Sequence, residues 1–138
     1  MFDTTRHQWK RNLGADGETM EIPPPRIVRE PLTRAELVSI ATAQFGDMVK
    51  AVVDLARGIM ALGGELHSDE EAMLLDDGSS QADLWGINLY PGAGEDDWIE
   101  YDSMINVRPS HGNRSRGVED PGLRAAIERV VSELVKAE

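Results

Sequence analysis

The chain has 138 residues, a formal net charge of −11 at pH 7 and no cysteine. The lack of cysteine excludes disulfides, thiolate catalysis and cysteine-based zinc sites. The acidic balance argues against nucleic-acid binding, which needs an extended basic surface. No apolar run approaches the ~20 residues of a membrane span, and the first residues lack the apolar stretch of a signal peptide. We therefore expect a cytoplasmic protein with no nucleic-acid or membrane partner.

The first 26 residues show no sustained hydrophobic periodicity, and they include three consecutive prolines, Pro23–Pro25. A proline run is a stiff polyproline-type segment, and chain termini are commonly held loosely. The sequence therefore predicts that residues 1–26 form a flexible N-terminal extension and that residues 27–138 form a single domain.

A first helix is predicted to begin directly after Thr33. Thr33 and Glu36 have the spacing of a capping box, in which each side chain accepts a hydrogen bond from a free backbone N–H. Leu32 and Leu37 stand at the positions of a hydrophobic staple around that cap. Gly46 is placed to end the helix in the left-handed conformation.

The next segment fits either a helix face or a hairpin. Two adjacent glycines within it disfavour a continuous helix, so we prefer a hairpin of Met48–Ala56 with Ile59–His67. In the predicted register of this hairpin, Ala56 faces Ile59. Ser68 is then predicted to cap a short helix over Asp69–Asp76.

A second hairpin is predicted from Leu84–Tyr90 and Trp98–Arg108, which flank a turn-rich stretch. Apolar and polar residues alternate along the second strand with a period of two. With Tyr90 opposite Trp98, the odd-numbered residues form an apolar core face and the even-numbered residues form a polar face.

The last helix is predicted from Pro121 to about Lys136, with Asp120 as its N-cap. The elements together indicate an α+β domain with a mainly antiparallel four-stranded sheet made of two hairpins. We expect its two longer helices to cover one face of the sheet and to leave the other face partly open.

Four stretches resemble a known family. They read GGELH at 63–67, LWGINLYP at 84–91, DSMINVRP at 102–109 and NRSRGVED at 113–120. The family consists of small prokaryotic proteins known only as a domain of unknown function, and the resemblance covers about Ile27 to Val135. It implies no activity, substrate or cofactor.

One candidate site is an anion site in an acid-free, arginine-rich loop. Arginine offers a planar fork of donors that suits phosphate or carboxylate, and the loop leads to a helix N-terminus, which also favours an anion. The alternative is that these arginines neutralise nearby acids. The candidate residues are Arg108, His111, Arg114, Ser115 and Arg116.

A second candidate is a divalent-metal or acid–base cluster. Glu65 and His67 would point the same way on a strand, with Asp69 close by and Asp102 within reach if both hairpins share a sheet. Imidazole and carboxylate groups suit several metals. No known metal motif matches, and the alternative is a solvated strand end followed by a helix cap.

A third candidate is the polar strand face, which could line a small-molecule pocket or could simply face water. Its residues are Asn88, Glu100, Asp102, Asn106 and Arg108. A serine–histidine–aspartate triad from Ser103 or Ser110 with His111 and Asp102 lacks a nucleophile elbow. No Walker-type or dinucleotide-binding glycine loop occurs, so no cofactor is predicted.

These candidates leave three functional hypotheses open. The leading one is a small module that binds an anionic, phosphate-bearing ligand. In it the loop arginines Arg108, Arg114 and Arg116 hold the anion, and Asn88, Asp102 and Asn106 orient the rest of the ligand. The second is an enzyme on a phosphorylated substrate, in which His67 or His111 acts with Asp102 on protons or a metal. The third is a protein-interaction or regulatory subunit, and self-association is compatible with all three.

Overall fold

The computed structural model describes residues 25–137. Its elements are β1 Arg26–Val28, β2 Leu32–Thr33, α1 Arg34–Gln44, β3 Val49–Asp54, β4 Ile59–Leu62, α2 His67–Asp76, β5 Leu84–Leu89, β6 Ile99–Glu100, α3 Pro121–Leu134 and β7 Val135–Lys136. The domain is α+β, as the sequence predicts. Within residues 25–137 the main sheet has five antiparallel strands, not four, in the order β1-β4-β3-β5-β6, and a two-stranded parallel sheet pairs β2 with β7.

The fifth strand is β1, which starts within the segment expected to be an extension. Arg26 pairs with Leu62 of β4, and the preceding Pro25 is buried. A three-residue strand is too short to display alternation in the sequence, which explains why the pattern gives no signal for it. The rest of the predicted extension, residues 1–24, lies outside the described residues.

The start of α1 confirms the predicted capping box. The Thr33 hydroxyl accepts from the backbone N–H of Glu36 at 3.1 Å, and the Thr33 N–H donates to the Glu36 carboxylate at 2.8 Å. Leu32 and Leu37 are both buried. Gly46 follows the helix with a φ of +95°, the left-handed conformation expected of it.

The hairpin of β3 and β4 is confirmed, but its predicted register is wrong by two residues. Asp54, not Ala56, faces Ile59, and the turn has four residues. The Asp54 carboxylate accepts from the backbone N–H groups of Ala56 and Arg57, both at 2.9 Å. These bonds stabilise a turn that begins directly after Asp54, two residues before the predicted turn. A shift of two residues keeps every side chain on its predicted face.

Helix α2 begins at His67, two residues before the predicted start, and the prediction that Ser68 caps it is wrong. Its N-cap residue is Leu66, which makes no side-chain cap hydrogen bond. The helix covers part of the sheet face that carries the even-numbered residues of β3 and β5, which is the face predicted to be partly open. A second core cluster lies there, formed by Val52, Ile59, Ala61, Leu74 and Leu84.

The second hairpin has the predicted register but a much shorter second strand. The Tyr90 N–H donates to the Trp98 carbonyl at 2.8 Å, as expected. The strand β6 nevertheless ends at Glu100, and a 3₁₀ turn over Met104–Asn106 replaces the predicted continuation to Arg108. The prediction that this strand continues to Arg108 is therefore wrong.

Gly86 and Ser103 account for this early end. A Cβ atom added to Gly86 would lie only 2.6 Å from the Cβ of Ser103. Ser103 therefore occupies the space that a side chain at position 86 would need. The chain folds inward against this bare backbone instead of continuing as a strand.

Helix α3 packs on the other face of the sheet. Asp120 caps it as predicted, because its carboxylate accepts from the Gly122 N–H at 2.8 Å. The helix ends at Leu134 because Val135–Lys136 pairs with β2. Its buried residues are Ile127, Val130, Val131 and Leu134. Among the described residues, no helix is long and apolar enough to cross a membrane.

Candidate functional site

The predicted arginine loop is built around two buried asparagines. The Asn106 side chain accepts from the Gly86 N–H at 2.8 Å and donates to the Gly86 carbonyl at 3.0 Å. It also donates to the Arg116 carbonyl at 2.9 Å. Asn106 is fully buried, so the structure assigns its amide to the backbone and not to the lining of a pocket.

Asn113 closes the other half of the loop. Its amide nitrogen donates to the carbonyls of Asn106 and Gly117, at 2.8 and 2.7 Å, and its oxygen accepts from the Glu119 N–H at 2.9 Å. The Glu119 carboxylate in turn accepts from the N–H groups of Arg114 and Ser115. Hydrogen bonds from the side chain and backbone of Ser115 lower the pKa of Glu119. The loop is therefore a fixed structure.

Arg108 lies apart from the other two arginines. Its guanidinium donates to the carbonyl oxygens of Gln81, at 2.7 Å, and Leu84, and its carbon stands 4.2 Å from the centre of the Trp85 ring. Burial lowers the pKa of Arg108. These contacts give Arg108 a structural role, but its partners are carbonyl oxygens and an aromatic ring and not the acids that the alternative for the loop named.

The other loop residues differ in their contacts. Arg116 pairs with Asp102, with 2.6 Å between Nε and Oδ1. His111 and Arg114 are exposed. The N-terminus of α3 is occupied by the Asp120 cap. Arg108 and Arg116 are thus engaged by partners within the domain, whereas His111 and Arg114 face solvent.

The structure gathers residues from all three candidates, together with Lys50, into one patch on the face of the sheet that carries the even-numbered residues of β3 and β5. We call it the sheet-face cluster, and it consists of Lys50, His67, Asn88, Glu100, Asp102 and Arg116. Lys50, Asn88 and Glu100 are direct cross-strand neighbours on β3, β5 and β6. His67 enters from α2, and Asp102 and Arg116 come from the loop.

Asn88 lies at the floor of the cluster. Its amide nitrogen donates to Glu100 at 2.9 Å and to the Asp102 carbonyl at 3.4 Å. Its oxygen Oδ1 is buried and has no hydrogen-bond partner among residues 25–137. Because a buried acceptor without a donor is costly, this atom marks a place where a ligand donor group would bind favourably.

His67 forms the second part of the floor. It is buried, and its Nε2 lies 2.8 Å from the Ile87 carbonyl oxygen. Burial, assisted by the charges of Lys50 and Arg116, lowers the pKa of His67, although the Ile87 carbonyl and Asp102 act in the opposite direction. The imidazole is therefore held in a fixed orientation with its neutral form favoured.

The rim of the cluster carries exposed charges. The Asp102 and Arg116 side chains are 43% and 52% exposed, and their hydrogen-bonded ion pair lowers the pKa of Asp102. The Tyr90 hydroxyl donates to Glu100 at 3.1 Å. Partial burial and Glu100 raise the pKa of Tyr90. The cluster thus joins a buried polar floor to a charged edge that solvent reaches.

Glu70, one turn after His67 on α2, is fully buried. One carboxyl oxygen accepts from the Gly64 N–H at 2.7 Å, and the other has no partner among the described residues. Burial raises the pKa of Glu70 well above its usual value. A Cβ on Gly64 would lie 2.9 Å from Glu70 Cγ, so the glycine makes room for this carboxyl group.

The predicted metal cluster does not form. Glu65 is exposed before α2, and His67 lies on the helix and not on the predicted strand, so the two side chains do not share a strand face. Within residues 25–137, no group of three histidine, aspartate or glutamate side chains is placed to hold a metal ion. Ser103 is buried and caps the 3₁₀ turn, accepting from the Ile105 N–H, which removes it from a triad.

A cavity of about 610 Å³ lies between α3 and the second hairpin. Several charged side chains around it are already engaged. Arg34 stacks on Trp98 and pairs with Glu95, and the Tyr101 hydroxyl donates to Glu128. Since it contains none of the buried unpartnered atoms, we regard the sheet-face cluster as the better candidate.

Sequence reasoning missed Lys50 and Glu70. Lys50 could have been found only with the pairing of β3 and β5, which places it beside Asn88. Glu70 had none, since an acid in the first turn of a helix normally serves the helix dipole.

A family model described as Protein of unknown function (DUF5674) matches residues 26–134. The chain belongs to this family. The expected resemblance to an uncharacterised family is therefore confirmed, and the family's description assigns no activity. No curated protein matches the chain, and no solved structure matches it. Function is consequently argued from the site.

Proposed function

We propose that this protein is a small cytoplasmic module that binds an anion-bearing metabolite at the sheet-face cluster. The observation that carries the proposal is that α2 starts at this cluster without a side-chain cap, next to Lys50 and Arg116. The proposal keeps the ligand class expected from the sequence and keeps Asn88, Asp102 and Arg116. It replaces Arg108 and Arg114 as anion-binding groups by Lys50 and the start of α2.

The start of α2 supplies attraction for an anion. The first N–H groups of a helix lack partners within the helix, and the helix dipole favours negative charge there by roughly 0.3–1 kcal/mol. Leu66 at the N-cap has no oxygen in its side chain to bind these groups. Lys50 and Arg116 add two cations, both of which interact electrostatically with His67.

The rest of the cluster selects a ligand that also carries donors. Asn88 offers an unpaired buried oxygen, and Glu100 and Asp102 offer carboxylates. A hydroxyl or amino group on the ligand would satisfy Asn88. The two carboxylates would repel a polyanion, so we infer a small ligand with one anionic group and at least one hydroxyl or amino group.

Thermal unfolding of the full chain with inorganic phosphate, glycerol 3-phosphate and lactate tests this proposal. A ligand at a hundred times its dissociation constant adds about 2.7 kcal/mol to the free energy of unfolding. We expect the stabilisation to be lost in Lys50→Ala and kept in Arg129→Ala, which removes the same charge from the exposed side of α3.

Arg114→Ala separates the present site from the one expected from the sequence. Loss of the ligand effect in Arg114→Ala, with Lys50→Ala unaffected, would place the anion in the loop and refute the sheet-face site. Lack of stabilisation by all three compounds would refute the proposed ligand class. Comparison of the phosphate compounds with lactate shows which anionic group the site prefers.

A further inference from the structure

We propose that Nδ1 of His67 is the proton-accepting atom of the site and acts as a general base on a hydroxyl group of the bound ligand. This inference rests on the proposed function, because it requires a ligand at the sheet-face cluster. It goes beyond that function, because it makes the site one of acid–base chemistry.

The hydrogen bond to Ile87 determines which ring nitrogen is basic. Nε2 lies 2.8 Å from the Ile87 carbonyl oxygen. A carbonyl oxygen can only accept, so Nε2 carries the proton of the neutral imidazole and Nδ1 holds the lone pair. The two nitrogens lie on different sides of the ring, which directs Nδ1 away from that carbonyl. Among residues 25–137, Nδ1 has no hydrogen-bond partner.

The surroundings of His67 suit a base that is neutral at rest. The ring is 8% exposed, which disfavours a resting positive charge. Lys50 on β3 and Arg116 on the loop also oppose that charge, whereas Asp102 stabilises it once a proton arrives. Asp69 and Glu70 are the acids in the first turn of its own helix. The carbonyl of Ile87 plays the orienting role that a third group plays in acid–base sites.

The proposed step is balanced without another reactant. The O–H bond of the ligand breaks, its electron pair stays on the oxygen, and a new N–H bond forms at Nδ1. Lys50 and Arg116 stabilise the resulting alkoxide. The reverse step returns the proton from Nδ1 to the ligand. The substrate class is therefore a small hydroxyl-bearing phosphate or carboxylate.

Diethyl pyrocarbonate tests the base directly, because it acylates unprotonated imidazole nitrogen. The full chain has three histidines, which peptide mass analysis separates. We expect modification of His67 between about pH 5 and 8, with the exposed His111 as an internal reference for the reagent. Phosphate at ten times its dissociation constant should slow the reaction of His67 about tenfold and leave His111 unaffected.

His67→Gln is the matched variant, because its amide keeps an N–H donor for Ile87 and lacks a basic nitrogen. We expect it to lose the diethyl pyrocarbonate adduct at position 67, while His111 reacts at its wild-type rate. ¹⁵N NMR of the wild-type chain should place the ring proton on Nε2. A proton on Nδ1, an unreactive His67 beside a reactive His111, or modification of His67 that phosphate does not slow would overturn the inference.

The two proposals fail separately. Stabilisation by phosphate with an unreactive His67 leaves a binding site and removes the base. A reactive His67 in a chain that none of the three anions stabilises removes the proposed ligand class, and with it the inferred substrate.

Discussion

Asn106 pairs with Gly86 as a strand residue would, but through its side chain. The amide oxygen accepts from the Gly86 N–H at 2.8 Å, and the amide nitrogen donates to the Gly86 carbonyl at 3.0 Å. In the predicted hairpin, the backbone of Asp102 would have faced Gly86. These two hydrogen bonds satisfy the backbone groups of Gly86 at the edge of β5 where the chain turns inward. Asp102 is then free to pair with Arg116 at the sheet-face cluster.

We predict that Asn106→Asp lowers the free energy of unfolding by about 2–4 kcal/mol. A carboxylate cannot donate to the carbonyls of Gly86 and Arg116, and it would bury a charge without a cation. Urea denaturation followed by circular dichroism measures the change. Asn106→Ala should cost less, since it leaves unpaired groups but no charge. Equal stability of wild type and Asn106→Asp would contradict this role for the side-chain pair.

Gly86→Ala should destabilise the domain by about 1–3 kcal/mol, the usual range for overpacking. The new Cβ would meet the Cβ and hydroxyl of Ser103, both at 2.6 Å. Gly92→Ala is the control, because nothing lies within 4 Å of its Cβ position. We expect the double variant Gly86→Ala/Ser103→Gly to regain stability in the same assay. A Gly86→Ala variant as stable as Gly92→Ala would refute the close approach.

Local signals in the sequence were sufficient for the helix caps and for the faces of the strands. The Thr33 capping box and the Asp120 cap depend on contacts within three residues, so spacing alone identifies them. The end of β6 depends on contacts between residues 20 positions apart, such as Asn106 with Gly86. No periodicity encodes such a pair, and the alternation up to Arg108 therefore overstates the strand.

The candidate site shows the same division. Asn88, Asp102 and Arg116 were assigned from residue type to one ligand site, and His67 was added to it only in the enzyme hypothesis. They meet because α2 begins at His67 and because Asn113 folds the loop back. Both are tertiary effects. Residue type therefore identified candidate site residues one at a time, but it did not predict how the fold brings them together.

Arg108→Lys should lower the free energy of unfolding by about 1–3 kcal/mol. A guanidinium can donate to the Gln81 and Leu84 carbonyls while it stacks on the Trp85 ring, whereas an ammonium group cannot make the same planar contact. Arg114→Lys is a matched control in the same loop, since its side chain is exposed. Equal loss in both variants would show that loop charge, and not the specific contacts of Arg108, governs stability.

Glu70 should make the domain less stable as pH rises. The folded state raises the pKa of Glu70 above its usual 4.5, so the folded chain keeps a proton there that the unfolded chain releases. The free energy of unfolding therefore falls as pH increases from about 4.5 toward the folded-state pKa. Urea denaturation from about pH 5 to pH 8 measures this slope as a difference between wild type and a Glu70 variant, because the lowered pKa of His67 acts in the opposite direction in the same range.

Glu70→Gln isolates this effect, because its neutral amide has the size of the protonated carboxyl group and can still accept from the Gly64 N–H. We expect the stability of Glu70→Gln relative to wild type to increase with pH across that range. Glu65→Gln, a change at an exposed position on the same side of the domain, should run parallel to wild type. A constant difference between Glu70→Gln and wild type would mean that the folded and unfolded chains bind the same number of protons at Glu70, and hence that Glu70 is ionised when buried.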